Sequence, residues 1–413
     1  MSVLFVFLII ENILEKYIGV FQYSDELILI VLFLLILIRL PHAKLPKTII
    51  MIIIFFLITL LLGILSSAWF HIQPSRIAAF KDILAVSKFF IVYVYAAAFA
   101  SDKNAERERR RILSFSRFYI WILAFCGVIN QFVDLGMGEG YRGPIKEYAF
   151  LYTHGTFMVA SVVVMAAVFI ANGTKKNAVY IGLSFLVLAL SMRIKAFIFI
   201  AAACTLMFGY RKSAVQSRRS RPSKSSLRLY MVLAIVLVLV YFIARNKVDS
   251  YLSWGLTAAR PALYIVGFQI MCNYFPLGSG LGTFASSISG EYYSPLYFTY
   301  GISNVLGLRQ SEGFEYMSDT YWPYIFGQYG LIGMTTYLLS LYCVLKDIRR
   351  VFQSSPNAFS AALSLFFYVI ASSFVESVFT NAAIVLIALT LGYYLRISRD
   401  QETSGTVVSS ISV

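Results

Sequence analysis

The chain has 413 residues, of which 59% are hydrophobic and only 13% charged, about half the charged share of a water-soluble domain. The net charge of +15 does not point to nucleic acid, because the basic residues fall in short bursts between apolar runs, as cytoplasmic anchors of a membrane protein do. Those runs are continuous rather than alternating, which excludes a barrel and leaves helices as the way to satisfy the backbone in lipid.

Taken in order, the sequence predicts spans near 2–20, 26–40, 47–68, 78–100, 117–133, 149–171, 177–191, 194–209, 229–244, 320–345, 357–375 and 379–395. Windows such as Thr48–Ala68 and Leu229–Ala244 suit a hydrocarbon core of about 30 Å. Starting inside, this path places every burst on the cytoplasmic face: Arg39/Lys44/Lys47, Lys103–Arg117, Lys175/Lys176, Arg211–Arg228, Lys346–Arg350 and Arg396/Arg399. The N-terminus opens directly on an apolar helix without a small-residue cleavage site and is expected to be retained. Cys126, Cys204 and Cys343 fall in apolar spans and Cys272 lies alone outside, so neither a metal site nor a structural disulfide is implied. The expected class is an all-α polytopic membrane protein of about twelve helices. Residues 1–244 carry nine spans, 245–319 one long extracytoplasmic loop, 320–396 the last three spans and 397–413 a cytoplasmic tail.

The loop is the exceptional connection. It is rich in Tyr, Ser and Gly, broken by Pro261, Pro276 and Pro295, and its Arg245, Lys247, Arg260 and Arg309 nearly balance Asp249, Glu291, Glu312, Glu315 and Asp319. An irregular segment of this length is functional or disordered, and its aromatic content argues against disorder. A folded subdomain is expected, with a short helix over Pro261–Met271.

Charges at or inside a membrane each cost about 2.5–3.5 kcal/mol on insertion scales, so each one calls for a reason. Arg193 and Lys195 lie in a polar step between two short spans, where they either bind an anion or snorkel to the interface. Arg260 precedes Pro261 at a helix start, suited to phosphate or an ordinary loop arginine. The stretch Leu277–Phe284 is glycine-rich, more in keeping with a tight turn than a phosphate cradle. Asp319, in Ser318-Asp319-Thr320-Tyr321-Trp322, is either a base at the mouth of the bundle or a cap of the next helix. Arg142, Lys146, Glu147, His154 and Glu376 could each face a shared outer cavity or pair locally. Lys81, Asp82 and Lys88 are expected to compensate one another in part, and Glu11, Glu15 and Lys16 to form an interfacial helix end.

Several of these pieces, in this order, resemble the family of O-antigen polymerases and O-antigen ligases. Tyr141-Arg142-Gly143-Pro144-Ile145-Lys146-Glu147 is similar to the family's Arg–Gly stretch followed by Glu. Ser191-Met192-Arg193-Ile194-Lys195 resembles its Ser-x-Arg step. Arg260, then Phe275-Pro276-Leu277-Gly278-Ser279-Gly280-Leu281-Gly282-Thr283-Phe284, then Ser318-Asp319 and Tyr329-Gly330-Leu331-Ile332-Gly333 resemble its large loop and exit. The resemblance covers residues 140–395. Two departures stand out: Ser318-Asp319 replaces the His-Asn exit pair of many ligases, and Glu147-Tyr148-Ala149 replaces Glu-Pro-Ser. The missing exit His favours a polymerase.

The resemblance implies a GT-C-like, metal-independent, inverting glycosyltransferase of the bacterial inner membrane with no cofactor; the path of the basic bursts puts both termini in the cytoplasm. Its substrate would be an undecaprenyl-diphosphate-linked oligosaccharide, and its partners membrane lipid and a chain-length regulator protein. Cations must meet the developing diphosphate charge, for which Arg260, Arg193, Lys195 and Arg142 are the candidates. Asp319 or Glu147 would assist the attacking hydroxyl. The alternatives are a ligase joining glycan to lipid A core and, in another class, a flippase or transporter with charges on broken helices at the midplane.

Overall fold

The computed structural model describes residues 1–100, 104–216, 253–313, 316–352 and 355–411. The predicted span 229–244, most of the basic run up to Arg228, and Lys103, Arg245, Lys247, Asp249 and Glu315 lie outside the described residues. The described residues form fourteen α-helices: α1 Ser2–Tyr17, α2 Ser24–Arg39, α3 Lys47–Phe70, α4 Arg76–Val94, α5 Ala105–Phe132, α6 Gly155–Ala171, α7 Ala178–Leu190, α8 Ile194–Gln216, α9 Ala259–Asn273, α10 Ser287–Glu291, α11 Leu296–Thr299, α12 Trp322–Arg350, α13 Pro356–Ser372 and α14 Ala383–Ile411. An antiparallel hairpin, β1 Gly138–Arg142 and β2 Ile145–Tyr148, precedes α6.

Four elements are long and apolar enough to cross a membrane: Gly19–His42, Lys47–Phe70, Ala105–Phe132 and Trp322–Arg350. The helices over 155–171, 178–190, 194–207 and 356–372 are apolar but shorter. A β-hairpin accompanies the helices, and among the described residues four elements reach spanning length while the other apolar helices are shorter. Helix α5 begins a dozen residues before the predicted 117, because Glu106 pairs with Arg109 and Arg110, and Glu108 with Arg111, at i,i+3 and i,i+4 spacing. Helix α14 runs on through 396/397, where the sequence predicts a tail.

The burial pattern is that of a protein in lipid. On α3, Ile49, Ile52, Phe56, Thr59, Gly63 and Ser66 face inward while Ile54, Leu57, Leu61 and Leu65 are exposed. The small and hydroxyl residues of its second half, Thr59, Gly63 and Ser66, lie on the inner face, where they let helices approach closely. Helix α6 is apolar apart from Thr156 and Ser161, and residues 158–170 are all buried, which puts it at the centre of the bundle. The intramembrane charges are paired between helices rather than with one another, which corrects the expected self-compensation. Lys88 of α4 binds Asp25 and Glu26 of α2, Lys81 binds Glu291 of α10, and Asp82 accepts from the Tyr324 hydroxyl. Glu11 is buried and accepts from Ser24.

The 253–319 segment is wedged into the end of the bundle. Its glycine-rich turn lies between α3 and α12: Ser67 Oγ accepts from Leu281 N at 2.7 Å, and Gln73 donates to the Gly282 carbonyl at 2.9 Å. Helix α12 is interrupted at Gly330, whose φ of 62° and ψ of −166° are not helical. The carbonyls of Gly327 and Gln328 are taken up by Ser279 N and Gly280 N, each at 2.9 Å. The backbones touch: a Cβ on Gly278, which has φ 81°, would lie 2.3 Å from Gly330 N. Gly278→Ala is therefore expected to destabilise the protein by about 3 kcal/mol through left-handed strain and overpacking, seen as a lowered thermal unfolding midpoint in detergent.

Candidate functional site

The site is built on four connections at the end of the bundle that holds residues 253–319. The first is the hairpin before α6. Its turn reverses the chain at Gly143, with φ 63°, so that Arg142 on β1 and Glu147 on β2 pair directly. Arg142 also donates to the Met192 carbonyl at 2.8 Å, which ties the hairpin to the second connection, the step between α7 and α8. There Arg193 binds Glu139 of β1 and lies 3.9 Å from Glu147. Glu139 in turn accepts from Gly155 N at 2.6 Å, where the free N–H groups of the α6 N-terminus favour an anion. Lys195, two residues on, is buried and binds Glu376 in the third connection, between α13 and α14; Asn381 donates to the same carboxylate at 2.9 Å.

The fourth connection supplies Arg260 and Asp319. Arg260 is the second residue of α9 and Pro261 the third, a position that needs no N–H donor. Its guanidinium lies 3.0 Å from Asp319. Tyr321 is the N-cap residue of α12 and no side chain caps the helix, so capping is not the role of Asp319. The fourth connection meets the third through Ser377 N, which donates to the Ser318 carbonyl at 3.1 Å. Tyr264 on α9 donates to the Phe374 carbonyl at 3.0 Å. Burial pushes the Asp319 carboxyl above the ordinary carboxylate range; Arg260 opposes the shift, nearby Glu376 adds to it, and His154 opposes it.

All six residues singled out in the sequence, Arg142, Glu147, Arg193, Lys195, Arg260 and Asp319, thus lie at one end of the bundle. Arg142, Glu147 and Arg193 share one network, Arg260 and Asp319 another, and Lys195–Glu376 lies between them. Four cations face four carboxylates, and a phosphate-bearing ligand would exchange with those carboxylates on cations already in place. The glycine-rich turn does not belong to the site, because α12, Ser67 and Gln328 take up its N–H groups at 279–282. His154 is the N-cap of α6 rather than a residue within it. Glu139 was not foreseen: in Gly138-Glu139-Gly140 no apolar context marks it as lying at a membrane edge, and its partner is 54 residues away. Among the described residues, no group of three or more His, Cys, Asp or Glu could hold a metal ion. No protein-family model and no curated protein sequence matches the chain.

Proposed function

We propose that this membrane protein is a glycosyltransferase of the O-antigen polymerase kind, which moves a growing glycan from undecaprenyl diphosphate onto a new lipid-linked repeat unit at the periplasmic face. The observation that carries the reading is the Arg260–Asp319 pair, at 3.0 Å, on the same end of the bundle as Arg142, Arg193 and Lys195. In this reading the bacterial inner membrane is crossed about twelve times, shorter helices included, with both termini cytoplasmic.

The chemistry assigned to the site is a single displacement. Asp319 takes the proton of the acceptor hydroxyl, and the freed oxygen bonds to the anomeric carbon from the face opposite the phosphate. The anomeric C–O bond to phosphate breaks, and undecaprenyl diphosphate leaves with the electron pair. Arg260, with Arg193, Lys195 and Arg142 behind it, meets the charge that develops on the diphosphate. Asp319 is preferred to Glu147 as the base because one guanidinium faces it, whereas two face Glu147. Inversion follows and is checked by linkage analysis of product against donor. Turnover is expected to persist in EDTA.

A lipopolysaccharide gel from a host deleted for the gene tests the reading. Core bearing a single repeat identifies a polymerase, and bare core with long carrier-linked glycan a ligase. An unchanged ladder means that the family assignment, or at least its substrate, is wrong, and favours a transporter of another cargo. A purified-enzyme pH profile tests the base. Asp319 must be deprotonated to act, so the rate rises with pH through a limb above the ordinary carboxylate range. That limb disappears in Asp319→Asn. Stability runs the other way: the folded chain holds this proton more tightly than the unfolded one, so the group's contribution falls as pH rises from the ordinary carboxylate range to the raised value.

A further inference from the structure

Among the carboxylates that face the cations of the site, Glu139 bridges a guanidinium and the start of a helix. Its Oε2 accepts from Arg193, and its Oε1 accepts from Gly155 N, the first residue of α6, at 2.6 Å. A Cβ on Gly155 would lie 3.1 Å from Glu139 Oε2, so the glycine leaves room for an oxyanion against the backbone. An arginine on one side and a helix-start N–H on the other are the donors with which proteins hold phosphate. The strand that carries Glu139 is built to let it go. Between the pairs Gly138–Tyr148 and Tyr141–Lys146, two residues of β1, Glu139 and Gly140, stand opposite the single Glu147 of β2, which is a bulge. Strand β2 is fastened to α5, because Gln131 donates to the Lys146 carbonyl and accepts from Lys146 N, each at 3.0 Å. Strand β1 is exposed from Gly138 to Tyr141, and a Cβ on Gly140, whose φ is 155°, would meet nothing within 4 Å. The bulge is therefore free to swing while the rest of the hairpin stays in place.

We propose that Glu139 is a placeholder for the phosphate of the lipid-linked donor: its carboxylate fills the seat between Arg193 and Gly155 N until the incoming diphosphate displaces it through the β1 bulge. The identity of the ligand as a diphosphate rests on the glycosyl-transfer reading above. A diphosphate carries more charge than a carboxylate, so Arg193 and the α6 dipole gain by the exchange, and Glu139 regains water. The competition weakens donor binding, and the returning carboxylate helps to expel the diphosphate product. A support for Arg193 and a competitor for its ligand predict opposite signs when the charge of Glu139 is removed.

Inorganic pyrophosphate, titrated by calorimetry into the purified protein without divalent metal, tests the displacement independently of any transfer. Glu139→Gln removes the competing charge but keeps an oxygen for Gly155 N. It is expected to unfold at the wild-type temperature and to bind pyrophosphate about tenfold more tightly, the size of one charged contact no longer opposed. In an Arg193→Ala background the same substitution should leave the affinity nearly unchanged, because the seat is then dismantled. Glu139→Ser repeats the comparison should the glutamine variant unfold early. Equal or weaker binding in Glu139→Gln, or no binding by either protein, would overturn the proposal. A gain that survives in Arg193→Ala would overturn it too, since it would report a lost negative charge rather than a vacated seat. Pyrophosphate binding as expected, with no glycosyl transfer by the wild-type protein, would sink the transfer reading and leave the placeholder standing.

Discussion

Arg260→Ala is expected to lower polymerisation turnover about 10²- to 10³-fold, the cost of removing one preorganised group from a developing oxyanion, while leaving the protein folded and membrane-inserted. Two effects act in the same direction. The diphosphate loses the guanidinium at the helix start, and Asp319 loses the positive charge 3.0 Å away that offsets its burial. The carboxyl then holds its proton to still higher pH, so the deficit should shrink as pH is raised. Arg260→Lys keeps the charge but not the planar two-point contact, and it is expected to restore the pH profile of Asp319 more fully than the rate. Initial rates across pH, measured on purified protein in lipid with lipid-linked repeat units, check both parts. A wild-type rate in Arg260→Ala would remove this residue from the chemistry and shift attention to Arg193 and Lys195.

The second large effect is on stability and lies away from the site. Asp347 on α12 is fully buried; it accepts from Tyr93 of α4 at 2.7 Å, from Thr48 of α3 at 3.3 Å and from Arg399 of α14 at 3.1 Å. One carboxylate therefore joins four helices. Asp347→Ala leaves the Arg399 guanidinium without its anion and should cost about 3–5 kcal/mol, seen as a large drop in the thermal unfolding midpoint in detergent and in recovered protein. A double variant, Asp347→Leu with Arg399→Leu, should be less damaged than the sum of its parts, because no charge is then left stranded. A wild-type unfolding temperature in Asp347→Ala would mean that the four helices are held by packing alone.

How much of this was legible in the sequence differs by element. Helix α3 was readable to within two residues, since a run with mean hydropathy 3.1 and no internal charge has one physical interpretation. The start of α5 was not, because hydropathy penalises the very Arg and Glu residues whose pairing extends the helix. The hairpin at 138–148 escaped because it is short, and its alternation is obscured by an irregularity in register between Gly138 and Tyr141. The cations of the site were legible as costly exceptions in an apolar chain. Their partners were not: Arg193 meets Glu139 and Lys195 meets Glu376 across long separations, and no local pattern encodes such a pairing. The glycines at 278, 280 and 282 read as a turn, and a turn they are. What they turn against, a break in a helix fifty residues on, required the fold.

That break bears on how the protein is made. Helix α12 leaves the ribosome after the glycine turn and well after α3, and it cannot shield its own interrupted backbone. Until Ser279 and Gly280 cover the Gly327 and Gln328 carbonyls, those two groups lack these partners, and a buried carbonyl left unpaired costs about 1–3 kcal/mol. Insertion of α12 is thereby coupled to docking on a preassembled α3–turn surface.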